Sequence, residues 1–374
     1  MDFPEIENVE NEWLSDAKIM VMGVGGGGTN ALNYMIQKGI TGVITVAANT
    51  DAQHLEQSSA ELKLHLGKNT SRGHGAGADP QKGRKAAEES IDEIRELLAG
   101  VDILILSAGM GGGTGTGATP VIAGVAKDMG ILTIAIVTKP FKAEGPAKMR
   151  KANKGIEELR DKVDSLIVIS NDKLLKEKSN RRVGITHMFA LADEILYKTV
   201  KAFVDIIRKP GYINVDLEDV RAVLQESGQA IIGEGVGRGE HRAAEAVKKA
   251  IYNPLLELES GRSVVRGARK ILVNIETSDN EEYELTGEEL ELVMSTIMQE
   301  VAGGSAPIHE PEMIIGISKS YELEDEVRVI VIASGMSDRR KHSRSPRKDI
   351  HKFDETKGKP IIGREEEEDR EWQA

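Results

Sequence analysis

The sequence predicts an α/β chain: a Rossmann-like parallel-sheet domain, a long central helix, and a second, smaller α/β domain. Three observations carry this. Short apolar runs alternate with amphipathic segments through the first half. Glycine-rich loops follow two of those runs. Near Ile185 the rhythm gives way to one long amphipathic stretch before strands and helices resume in another order. Short apolar runs of this kind mark strands buried on both faces, and their alternation with helices implies a parallel sheet with right-handed crossovers.

The elements follow in order. Residues 1–16 are acidic and read as a flexible tail. The 17–184 domain opens with the strand "AKIMVMGV", turned by "GGGGTN" into the helix "ALNYMIQKG", which Gly39 ends. "GVITVAANTD" is the second strand. "DPQKGRKAAEESIDEIRELLAG" is one amphipathic helix, with Pro80 at its start and Gly100 at its end. "VDILILSAGM" is a third strand, "TPVIAGVAKDMG" a helix and "ILTIAIVTKPF" a strand, and "KANKGIEELRDKV" with "DSLIVISND" repeats the pair. Residues 185–210 form the central connecting helix, with Phe189, Ile195, Leu196, Val200, Phe203, Val204 and Ile207 on a broad apolar face closed by Pro210-Gly211. The 211–336 domain holds helices near 218–227, in "HRAAEAVKKAI" and in "GEELELVMSTIMQEV", and strands "RKILVNIET", "EMIIGISKS" and "EVRVIVIAS". Residues 337–374 are poor in apolar side chains, first basic and then acidic, and read as a disordered charged tail.

Composition narrows the function. The net charge of −12 argues against nucleic acid as a partner of the body of the protein. No apolar run approaches the ~20 residues of a membrane helix, and the acidic N-terminus lacks the pattern of a signal peptide. With no cysteine, thiolate metal sites and disulfides are excluded, and a reducing, cytoplasmic setting is expected.

Two loops carry the chemistry. "GVGGGGTN" satisfies G-x-G-x-x-G between a strand and a helix, a setting in which glycine lets backbone approach a phosphate. "GGGTGTG" (Gly111–Gly117) also joins a strand to a helix, but has no lysine of the common phosphate-loop kind; its successive N–H groups and the Thr114 and Thr116 hydroxyls are its means of gripping an anion. A third segment, "RGHGAGADP" (Arg72–Pro80), precedes another helix. Three such loops suit a triphosphate better than the single pyrophosphate turn of a dinucleotide. The dinucleotide alternative remains, because Asp51 ends the second strand where an oxidoreductase keeps its ribose carboxylate. In "NVDLEDV", Asp216 and Asp219 are three apart and can share a helical face. Helix capping is the plainest role for them.

"GGGTGTG" resembles the signature of the tubulin/FtsZ family of polymerising GTPases. The chain is similar to that family's bacterial cell-division branch in "GVGGGGTNA", "NTDAQ", "RGHGAGADP", "AGMGGGTGTGATPVIA", "VTKPF", "GYINVDLEDVRAV", "HRAAEAVKKAI" and "DEVRVIVIASG", in family order. The resemblance implies a GTPase that polymerises head to tail into filaments of a midcell division ring, with each active site completed at a subunit junction. It places Gly26, Gly27, Ala76, Gly77, Gly113, Thr114, Gly115 and Thr116 around the phosphates, and Thr138, Glu144 and Asn171 near the ribose. Asn49 and Lys148 join the nucleotide-binding set. Asn30, Phe189 and Asp193 would read the base, Phe189 by stacking and Asp193 by accepting from guanine N1–H and N2–H. Asp216, Asp219 and Asn214 would act on the attacking water in the site of the adjacent subunit. GTP and GDP are the implied ligands, with Mg2+ held mainly by phosphates and water and no protein metal-ligand set. The chain departs from the family pattern at Asp79, where asparagine is usual, at Lys148, where arginine is common, and at Leu217-Glu218 in the catalytic loop. The family's C-terminal docking peptide, which engages membrane-tethering and division partners, is not recognisable. A non-catalytic nucleotide-binding scaffold of the same fold is the reading that these departures keep open.

Overall fold

A computed structural model describes residues 17–177, 184–209, 211–252, 263, 265–303 and 310–336. Both expected tails lie outside the described residues, and with them the basic cluster Arg339, Arg340, Lys341, Arg344, Arg347 and Lys348.

The first half alternates as expected: β1 (Ile19–Val24), α1 (Gly25–Gln37), β2 (Ile44–Asn49), α2 (Ala52–Glu56), β3 (Leu62–His65), α3 (Lys68–Ser71), α4 (Pro80–Glu89), α5 (Ile91–Leu97), β4 (Ile103–Gly109), α6 (Thr114–Asp128), β5 (Leu132–Lys139), α7 (Pro146–Arg160), β6 (Ser165–Ser170) and α8 (Asn171–Glu177). Then come α9 (Ile185–Arg208), β7 (Gly211–Ile213), α10 (Leu217–Leu224), β8 (Gly228–Gln229), β9 (Ile231–Arg238), α11 (Arg242–Ile251), β10 (Lys270–Ser278), α12 (Gly287–Ala302), β11 (Glu312–Ser320) and β12 (Glu326–Ser334).

The first sheet has seven strands in the order β3-β2-β1-β4-β5-β6-β8, and every pairing in it is parallel. The order reverses between β1 and β4, so a crevice opens outside their carboxyl ends. The five central strands are almost wholly buried, because helices cover both faces. The second sheet, β7-β11-β10-β12-β9, pairs β10 with β11 in parallel and its other neighbours antiparallel.

Four details differ from the sequence expectation. The run "GGGG" is the first turn of α1, not a turn preceding it. "TGTG" likewise opens α6. The single helix expected over 79–100 breaks into α4 and α5 at Ser90, whose hydroxyl accepts from the Gly67 N–H instead of continuing the helix. Strands β3, β7, β8 and β9 lacked the apolar runs that marked the others, and β8 returns the chain to the first sheet beside β6.

Candidate functional site

Because the first sheet is parallel, the carboxyl ends of its strands share one edge. Five adjacent strands deliver expected site residues there. Asn49 ends β2, the α1 glycines follow β1, the Met110–Gly113 turn follows β4, Thr138 lies near the end of β5, and Asn171 follows β6.

The three glycine segments meet. A Cβ on Gly25 would lie 2.7 Å from the Gly115 nitrogen, so the starts of α1 and α6 touch. A Cβ on Gly113 would lie 2.7 Å from the Ala76 Cβ, which brings in the 72–79 loop. Gly77 and Gly112 face open space and could take no packing role with a side chain's neighbours. Neither α1 nor α6 has a side-chain N-cap, whereas Asp51 caps α2 and Asp79 caps α4 by accepting from the His54 and Gln81 N–H groups. Two uncapped helix starts side by side present free N–H donors and the positive ends of two dipoles to an anion.

The hydroxyls are already engaged with the loop. Thr114 Oγ1 lies 2.6 Å from Thr50 Oγ1, and Thr116 Oγ1 accepts from the Gly111 N–H at 2.8 Å. Asn171 is buried, and its Oδ1 has no hydrogen-bond partner among the described residues. A buried amide oxygen left alone at this edge is a position for a donor from outside the chain. Glu144 accepts from the Phe141 N–H and is ion-paired with Lys148.

Phe189 and Asp193 enter from the first half of α9. The Phe189 ring is exposed and packs edge-on against Phe141 at 5.5 Å, just beyond β5. Burial pushes the Asp193 carboxyl up to about 6, and it makes no hydrogen bond to the described residues. A carboxylate desolvated in this way is a candidate ligand contact. Asn30 is exposed on α1 and meets His54.

Asn214, Asp216 and Asp219 lie elsewhere. Asp216 Oδ1 accepts from the Asp219 N–H, Asp219 Oδ2 accepts from the Asp216 N–H, and together they cap α10. Asn214 Oδ1 accepts from the Gly211 N–H. Both flanks of this loop are pinned to the amino-terminal edge of the first sheet. Upstream, Arg208 donates to the carbonyls of Ala17 and Gly42, just before β1 and β2. Downstream, Asp164, just before β6, accepts from the Glu226 and Gly228 N–H groups.

Sequence reasoning passed over Thr50 and His54. Both stand in "NTDAQH", directly after Asn49, and their place beyond a buried strand was the available signal. No group of three metal-ligating side chains occurs among the described residues.

The comparisons with known proteins agree with one another. Residues 18–178 match the Tubulin/FtsZ family, GTPase domain, and residues 228–337 match the FtsZ family, C-terminal domain. The chain is 46% identical over 323 residues to the cell division protein FtsZ of Aquifex aeolicus, covering 86% of this chain and 84% of that one. It is 45% identical to the cell division protein FtsZ of Coxiella burnetii, covering 86% and 79%. It superposes on an empty FtsZ dimer from M. jannaschii with TM-score 0.75 at 39% identity, over 87% of this chain and 90% of that one. A GTPγS-bound CetZ2 protofilament from Haloferax volcanii shares the fold, with TM-score 0.68 at 19% identity over 87% and 96%.

Proposed function

Because the chain belongs to the Tubulin/FtsZ family, as a cell-division GTPase of the FtsZ branch, we propose that its GTP lies in the crevice at the carboxyl edge of the first sheet and is hydrolysed by a loop from the next subunit. The N–H groups of Gly26, Gly27, Gly113 and Gly115, with Ala76, Gly77, Thr114 and Thr116, hold the phosphates. Asn49, Thr138, Glu144, Lys148 and Asn171 surround the sugar, with the orphaned Asn171 oxygen taking a hydroxyl donor. Phe189 stacks on the base. Asp193 accepts from guanine's adjacent N–H groups and, by the same chemistry, opposes adenine.

One observation carries the head-to-tail reading: the nucleotide residues and the Asn214–Asp219 loop are fixed at opposite edges of one sheet. A general base must come within hydrogen-bond reach of the water it activates. The loop cannot do so within its own subunit, but it can in a neighbour stacked edge to edge. That contact is heterologous, so repetition produces a filament. Each capping carboxylate uses one oxygen within α10, which leaves the other for the water. Catalysis then rests on positioning and charge.

Mg2+ fits this site as a companion of the substrate. Asp51 and Asp79 each give one oxygen to a helix cap, and no group of three metal-ligating side chains occurs among the described residues, so phosphate oxygens and water would form most of the ion's shell. When bound it would neutralise phosphate charge. The dinucleotide alternative loses its support, because Asp51 is turned into the start of α2. No described helix is long and apolar enough to cross a membrane.

GTP turnover per subunit, measured against protein concentration, tests the reading. It should rise above a threshold concentration, and Asp216→Ala should abolish turnover while retaining bound GTP. Concentration-independent turnover, or loss of binding in that variant, would place the loop in its own site.

A further inference from the structure

His54 stands beneath the first turn of α1. Its ring is half-buried, and a Cβ on Gly26 would lie 3.3 Å from its Cε1. Nε2 is 3.0 Å from Asn30 Oδ1, and Nδ1 is 3.4 Å from Asn49 Nδ2. The His54 backbone N–H is itself fixed by Asp51. These contacts select one arrangement. Asn49 Oδ1 accepts from the Asp51 N–H at 3.3 Å, which turns Asn49 Nδ2, a donor only, to His54 Nδ1; Nδ1 therefore accepts, Nε2 carries the proton, and the Asn30 oxygen is the atom that can take it. One neutral imidazole therefore satisfies both amides at once.

The consequence falls on Asn30. An exposed asparagine rotates about its terminal torsion between two nearly equal amide orientations. With its oxygen turned to His54, Asn30 directs its NH2 away from the imidazole, as the group it offers to a ligand. We infer that His54 is a positioning residue for nucleotide recognition, which holds Asn30 as a hydrogen-bond donor toward the acceptor atoms of a purine base. The inference rests on the reading of Asn30 as a base contact. It adds that the polarity of that contact is set from outside the pocket. Purine ring nitrogens and the guanine O6 accept; the adenine amino group donates and would meet a second donor. Asp193 and Asn30 would then select the same base from two sides, one as acceptor and one as donor.

His54→Phe keeps a ring beneath Gly26 but removes both nitrogens, and His54→Gln restores a donor of similar reach. The full-length protein is assayed for GDP affinity, for competition by ATP, and for GTP turnover under assembling conditions. His54→Phe should weaken GDP binding and raise KM by about five- to tenfold, the usual scale of one lost hydrogen bond. It should leave kcat within about twofold, because the reacting phosphate is remote from the base. The preference for guanine over adenine nucleotide should fall with it, and His54→Gln should recover most of the loss. In an Asn30→Ala background, His54→Phe should have no further effect on affinity. Unchanged affinity in His54→Phe while Asn30→Ala weakens binding would overturn the inference alone, as would additive losses in the double variant. Unchanged affinity in Asn30→Ala would remove the base-contact reading on which it rests. If His54→Phe fails to fold, the same cycle run with His54→Ala and Asn30→Ala decides: additive losses overturn the inference, and coupling supports it.

Discussion

Asp193 is held on α9 with its carboxyl desolvated and unpartnered, and burial pushes it up to about 6. The folded chain thus binds its proton more tightly than the unfolded chain does. Fold stability from this group is fullest below the ordinary aspartate range, falls as pH rises toward 6, and stays lowered above it. The proposed guanine recognition needs the opposite form, the ionised carboxylate. Asp193→Asn should therefore raise the melting temperature of the nucleotide-free protein at pH 7, while weakening GDP binding at least tenfold. The gain in melting temperature should vanish as pH approaches 4, and wild-type GDP affinity should decline below pH 6. Calorimetry and equilibrium binding across that range check both signs. Sequence alone left Asp193 indistinguishable from a solvated helical face; only packing reveals that it is desolvated.

At the scale of elements, glycines that look alike in sequence divide into two kinds. Gly233, Gly235 and Gly237 lie on one face of β9, and a Cβ on each would fall 1.9, 2.1 and 1.9 Å from the carbonyl oxygens of Ala250, Ala246 and Arg242. These oxygens form one row of α11, so the strand is glycine-rich because the helix lies directly on it. Gly235→Ala should cost about 3 kcal/mol in denaturant unfolding. In the opening of α6, Gly117 is of this packing kind, since a Cβ there would fall 1.9 Å from the Pro80 carbonyl oxygen, whereas a Cβ on Gly112, just before the helix, would meet nothing within 4 Å. Gly112→Ala should leave the melting temperature within about 1 °C and lower GTP affinity, while Gly117→Ala should lower both. This explains the limits of the sequence reading. The buried strands of the first sheet announced themselves as apolar runs, and the paired glycine loops marked the crevice. Strand β9 did not, because its glycines answer to α11, a helix that follows it in the chain. The α4–α5 break was equally hidden, since the Ser90 hydroxyl serves a loop distant in sequence.

Across the whole molecule, α9 is the part that, under the proposed head-to-tail arrangement, makes one subunit incomplete. Its 24 residues span about 36 Å, with Phe189 and Asp193 toward the carboxyl edge of the sheet and Arg208 tied to the amino edge. Just beyond Arg208, Lys209 pairs with Asp205 and with Glu276, which Arg328 of the second sheet also grips. Glu276 is 1% exposed, so Glu276→Ala would leave Lys209 with Asp205 alone and Arg328 with Glu234 alone, and should destabilise the fold by about 3 kcal/mol, read by denaturant unfolding. A helix anchored this firmly fixes the distance between the proposed nucleotide pocket at one end and the proposed catalytic loop beyond the other. Complementation between two inactive proteins tests the result. Asp216→Ala keeps a nucleotide site and lacks a working loop. Asp193→Asn keeps the loop and, at GTP concentrations that leave its own pocket empty, lacks a substrate. Random pairing in an equal mixture places the good loop against the good site at about a quarter of the junctions. The mixture should therefore hydrolyse GTP at about a quarter of the wild-type rate, although neither protein does so alone. If the mixture gave no more than the sum of the separate proteins, hydrolysis would be complete within one subunit, and the separation along α9 would have no bearing on catalysis.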